Sequence, residues 1–217
     1  MKNLVRSIIA LSTLSGAMGL SLNAAAQDAK AGEKKAQMCI GCHGIPDYKA
    51  SFPEVFRVPM IAGQNAKYIV SALTQYKKGD RKHPTMRSVA TSLSDQDMAD
   101  LAAFYSTQAK AETLPATPTV PANVAALLAK GNCASCHGAN FSAPIDPSYP
   151  KLAGQHGDYL YVALRAYQTE KNPLVGRNNA IMAGMAKPYT LAETKILAEY
   201  LASLPGEIKT VPQSRFR

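Results

Sequence analysis

All four cysteines and two of the four histidines fall in two copies of one pentapeptide, Cys39-Ile40-Gly41-Cys42-His43 and Cys133-Ala134-Ser135-Cys136-His137. Two thiols one short turn apart can each add to one of a porphyrin's two vinyl groups, and the imidazole that follows is then delivered to the iron. Cys-x-x-Cys-His therefore reads as an attachment sequence for c-type haem. A zinc site would need both pairs to converge on one tetrahedral metal; they lie 94 residues apart, each with a histidine placed for another task. A redox-active dithiol goes with a helix start near a βαβ pattern, which the chain does not show. Disulfide pairing leaves both histidines unexplained. The residues point to two covalently bound haems, held by Cys39 and Cys42 in one half and Cys133 and Cys136 in the other, with His43 and His137 on the irons.

The chain repeats beyond these pentapeptides. Pro59-Met60-Ile61-Ala62-Gly63-Gln64 matches Pro150-Lys151-Leu152-Ala153-Gly154-Gln155 at an offset of 91. Tyr68, Ile69, Ala72, Leu73 and Tyr76 then recur as Tyr159, Leu160, Ala163, Leu164 and Tyr167, one apolar stripe at helical spacing on each copy. Each half closes with a helix opened by a capping box, Ser94 with Asp97 and Thr190 with Glu193, and short helices lead into Cys39 and Cys133. No run of alternating strand residues stands out, so the expected class is all-α.

An iron bound by one histidine needs a second axial ligand if it is to carry electrons without binding small molecules, and thioether sulfur suits, because a His/Met pair raises the reduction potential. Aligning the closing helices on Ser94 and Thr190 gives an offset of 96, which superposes Met86 on Met182. Met185, three residues further on, is the alternative in the second half. Met98 lies on a helix stripe and reads as core. His83 and His156 have no histidine counterpart in the other half, and read as loop or structural residues.

Around these elements, residues 1–26 read as an export signal, with Lys2 and Arg6 first, an apolar stretch from Leu4 to Leu20, and Ala24-Ala25-Ala26 as cleavage site. The apolar run is short and interrupted for a spanning helix. Its removal takes two cations and no acid, lowering the net charge from +9 to +7. Export excludes nucleic acid as partner for this basic chain, leaving acidic protein patches or anionic lipid headgroups at a membrane surface. Three prolines close together before Ala122 mark a linker over 113–121. The expected organisation is a signal peptide 1–26, a first domain 27–112, the linker, and a second domain 122–217. With only 7% aromatic residues and no Trp, the core of each half is thin, and a large apolar ring would fill it.

The order Cys-x-x-Cys-His, Pro-x-Leu-Ala-Gly-Gln, helical Tyr and then Met before Leu93-Ser94-Asp95-Gln96-Asp97 resembles the small class I cytochrome c domain. Two such domains in tandem behind a signal peptide, joined by a Pro-rich linker, resemble the cytochrome c4 family. The second half departs in Tyr189-Thr190-Leu191-Ala192-Glu193 and in a longer segment around Asn172 to Asn179. The resemblance implies His43 and His137 as proximal ligands, Met86 and Met182 as distal ones, and the carbonyls of Pro59 and Pro150 as acceptors for the imidazole Nδ1 hydrogens, which would fix ring orientation and basicity. Tyr68, Tyr159, Arg57 and Arg177 are candidates for the haem propionates, with packing or solvation as the alternatives. The implied function is electron transfer, not catalysis, by a periplasmic dihaem carrier running from a quinol-oxidising complex towards a terminal oxidase. The alternative is the electron-transfer subunit of a periplasmic flavoprotein or quinoprotein dehydrogenase, and either way the partners are redox proteins.

Overall fold

The structure, a computed structural model, describes residues 27–109 and 114–212; the expected signal peptide lies outside the described residues, as does the first residue of the linker. The first half runs α1 (Ala29–Lys35), a 3-10 turn (Ala36–Met38), α2 (Ile40–His43), β1 (Lys49–Ala50), β2 (Phe56–Arg57), α3 (Ala66–Lys78), β3 (Arg81–Lys82), α4 (Pro84–Thr91) and α5 (Asp95–Thr107). The second runs α6 (Ala122–Lys130), α7 (Cys133–His137), α8 (Gly157–Gln168), β4 (Gly176–Arg177), α9 (Ala180–Ala186) and α10 (Leu191–Ser203). The class is all-α, with four two-residue strand pieces among the described residues. Among the described residues no helix is long and apolar enough to cross a membrane.

Local chemistry sets the helix ends. Both capping boxes form: Ser94 accepts from Asp97 N and Thr190 from Glu193 N, and each acid returns a bond to the cap backbone. In the first half α1 packs on α5, and Gly32 permits the approach, since a Cβ there would lie 2.0 Å from the Asp100 carbonyl oxygen. The Asp100 carboxylate, buried at this crossing, accepts from Asp28 N at 3.0 Å and from Lys35 Nζ at 2.7 Å. Lys35 also pairs with Asp97, and the second half repeats that bond as Lys130 with Glu193.

Two apolar clusters form, one per half. The first gathers Ile40, Ile69, Leu93, Met98 and Leu101, the second Val124, Phe141, Leu160, Leu197's neighbour Ala198, and Leu201. Met98 is 1% exposed, so its core role holds.

The halves pack against each other. β3 and β4 pair antiparallel, with Arg81 opposite Arg177. Phe56 of the first half joins Tyr159 and Ala163 of the second in a third apolar cluster. Ion pairs join Arg57 to Asp158 and Arg165 to Glu54 across the junction. The longer segment of the second half reaches over to the first: Lys82 Nζ donates to the Asn172 carbonyl at 2.6 Å, and Asn178 bonds Asp80. The chain beyond α10 returns to the first half, where Lys209 N donates to the Ala62 carbonyl at 2.9 Å and Ile208 is buried.

Candidate haem sites

Cys133 to His137 form the short helix α7, while Cys39 caps α2, which carries Cys42 and His43, so that in each half both sulfurs and the imidazole arise within about a turn. None of the four cysteines is in a disulfide. Among the described residues no three His, Cys, Asp or Glu side chains gather as a metal cluster, so the two pairs do not meet in a zinc site. Burial raises the Cys39 thiol to about 11 and raises that of Cys133, which favours the neutral thiol. His43 Nδ1 lies 2.9 Å from the Pro59 carbonyl oxygen and His137 Nδ1 3.1 Å from that of Pro150. With the carbonyl accepting from Nδ1–H, the tautomer is fixed and Nε2 keeps its lone pair for a metal. Burial lowers both imidazole pKa values, more than the proline carbonyls raise them, which keeps the rings in the neutral, ligating form.

The methionines sit at matched places. Met86 is the third residue of α4 and Met182 the third of α9, and in each the backbone N–H donates to the side chain of the helix N-cap: His83 at 3.3 Å, Asn179 at 3.0 Å. His83 thus has a structural counterpart, an asparagine doing the same capping. Met182 is half-buried, whereas Met185 is 44% exposed one turn further along α9. His156 is the residue before α8, and its backbone N–H bonds the Gln155 side chain.

Between the halves lies a group of tyrosines around two guanidinium groups. Arg81, 5% exposed, donates to the hydroxyls of Tyr68 at 3.2 Å and Tyr159 at 2.5 Å, and Arg177 donates to Tyr159 at 3.1 Å. Arg81 stands over the Tyr76 ring and Arg177 over that of Tyr167. Among the described residues no carboxylate pairs with either arginine, and Arg81 Nε is buried with no partner. A buried Arg81 beside a half-buried Arg177, both facing phenols, calls for an anion. Burial opposes ionisation of Tyr159, but Arg81 and Arg177 outweigh it and bring that phenol down to about 8.

Three of the four side chains named from sequence for propionate contact are here: Tyr68, Tyr159 and Arg177. Arg57 is not. It is held by Asp158 at 3.2 Å and faces Asp47, so its role is to join the halves. Arg81 stands in this group instead, and a signal for it existed, because Arg81 aligns with Arg177 at the same offset of 96 that matches the methionines. The donor set, the neutral imidazoles and the anion-seeking arginines all fit haem c.

The family model described as cytochrome c matches residues 29–108 and again 121–205. A cytochrome c4 of Azotobacter vinelandii is 31% identical over 90% of this chain and 98% of its own length. The chain belongs to the cytochrome c4 family. It is a dihaem electron carrier and not an enzyme. The crystal structure of reduced recombinant cytochrome c4 from Pseudomonas stutzeri superposes with a TM-score of 0.60 at 26% identity, covering 82% of this chain and all of that one. A further relative is the thiosulfate dehydrogenase electron acceptor of Stutzerimonas stutzeri, 29% identical over 78% of this chain and 80% of its length.

Proposed function

We propose that Cys39 and Cys42 hold one haem with His43 and Met86 as axial ligands, and that Cys133 and Cys136 hold the other with His137 and Met182. The observation that carries this is the matched geometry: in both halves a proline carbonyl orients the imidazole, and an N-cap side chain fixes the helix turn bearing the methionine. Haem c bound there supplies a one-electron ferric/ferrous couple at potentials set by the His/Met pair and its surroundings. If a histidine and a methionine both bind the iron in each domain, no position would be left for substrate, and the chemistry would be electron transfer alone. Buried Arg81 and half-buried Arg177 would neutralise the propionates of haem bound at the junction, where the two domains, 27–112 and 122–217, face each other.

The carrier works in the periplasm, residues 1–26 being its export signal, and passes electrons from a quinol-oxidising complex towards a terminal oxidase. The basic surface favours acidic docking patches on partners. A second reading has specific support: the similarity to a thiosulfate dehydrogenase electron acceptor favours a periplasmic dehydrogenase as donor. Stopped-flow reduction by each purified donor separates them. Fast, salt-sensitive reduction by the quinol-oxidising complex and slow reduction by thiosulfate dehydrogenase is the expected result; the reverse order transfers the assignment to the dehydrogenase.

A further inference from the structure

The repeated Pro-x-x-Ala-Gly-Gln segment does more than supply an acceptor for histidine. The peptide whose carbonyl, from Pro59, accepts from His43 Nδ1 is the same peptide whose N–H, from Met60, donates to Oε1 of Gln155 in the other half, at 3.0 Å. Gln155 Nε2 in turn donates to the Met60 carbonyl at 2.9 Å. The second half repeats the arrangement with the roles exchanged. The Pro150 carbonyl accepts from His137 Nδ1, the Lys151 N–H of that peptide donates to Gln64 Oε1 at 2.9 Å, and Gln64 Nε2 donates to the Lys151 carbonyl at 3.0 Å. Both glutamines are 4% exposed. Each Oε1 also accepts from the next residue's own N–H, Asn65 or His156, which fixes the amide orientation.

Hydrogen bonds in series polarise one another, most of all in a buried, low-dielectric place. An acceptor on the Met60 N–H makes the Pro59 carbonyl a stronger acceptor, which draws the His43 Nδ1 proton outward and makes Nε2 a better donor to a metal. From this we infer that Gln155 and Gln64 are positioning residues acting in trans. Each sets the basicity of the axial histidine in the other domain, so docking of the two domains is itself part of the tuning of each haem. The inference rests on the assignment of His43 and His137 as axial ligands.

The test uses the haem-loaded full chain, with the two potentials resolved by domain and the ferric protein examined for iron-shifted imidazole Nδ1–H proton resonances. Gln155→Leu removes the acceptor. The expected result is an upward shift in the potential of the first-domain haem and a displaced His43 Nδ1–H resonance, with the second-domain haem little changed. Gln64→Leu gives the crossed result on the second-domain haem and His137. Gln155→Glu keeps and strengthens the acceptor, and its first-domain potential moves downward instead. A shift confined to the glutamine's own domain, or equal shifts at both haems as expected from loosened docking, overturns the inference. If the ligand assignment itself fails, the unsubstituted protein already lacks the iron-shifted resonances of His43 and His137, so the two failures are distinct.

Discussion

Nη2 of Arg81, in the first domain, lies 2.5 Å from the hydroxyl of Tyr159 in the second, and that phenol also accepts from Arg177. One oxygen thus links the two cations that the domains bring together. A buried cation beside a redox centre favours the reduced form, which carries one positive charge fewer. Replacing Arg81 by Met therefore lowers the potential of the first-domain haem, by the equivalent of about 1–2 kcal/mol for a unit charge at an effective dielectric near 20. A potentiometric titration resolving both haems checks this, and an unchanged or raised first-domain potential contradicts it.

The matched caps of α4 and α9 separate two candidate ligands. Met182→Ala converts one haem of two to a form that is high-spin and binds carbon monoxide, and Met86→Ala does the same to the other. Met185→Ala leaves both low-spin, since that side chain is exposed a turn away. Optical spectra with and without carbon monoxide decide, and normal spectra for Met182→Ala would transfer the role.

The capping boxes make a stability prediction independent of haem ligation. Ser94→Ala and Thr190→Ala each remove the acceptor for an N3 backbone N–H and cost ~1 kcal/mol. For a domain of this size the midpoint falls by about 4–8 °C per kcal/mol. Thermal melts followed by circular dichroism measure it, with the axial spectra of the folded variants unchanged.

Acid sensitivity follows from the crossing of α1 and α5. The Lys35 ammonium, opposed by burial and helped by Asp28 N–H and Gln96, holds the Asp100 carboxyl below its ordinary 3.8. A depressed folded pKa gives stability that is present above 3.8 and lost as pH falls through the lower folded value. Asp100→Asn should flatten that loss below about pH 4 while reducing stability at neutral pH. Chemical denaturation at pH 7 and pH 3 gives the comparison, and an equally steep acid loss in the variant would refute the assignment.

Much of this was legible because covalent and periodic constraints leave local traces. The pentapeptides fix three groups within one helical turn, the stripe from Tyr68 to Tyr76 repeats from Tyr159 to Tyr167, and both capping boxes stand three residues apart in sequence. The pairing of Arg57 leaves no local trace, because its partner, Asp158, is 101 residues away and no local pattern announces an ion pair between domains. The reciprocal use of Gln64 and Gln155 was hidden for the same reason. Repetition shows that two copies exist, while which surface of one meets the other depends on packing across the junction. His83 and Asn179 share a role without sharing a residue type, so identity alone could not pair them.

The proposed ligand pairs hold each iron between an imidazole nitrogen and a thioether sulfur. Electron paramagnetic resonance of the fully oxidised protein at low temperature reads out both iron sites at once. Two low-spin ferric signals of His/Met type and no high-spin iron are expected, and a high-spin, five-coordinate signal from either domain in the unsubstituted protein would overturn the assignment.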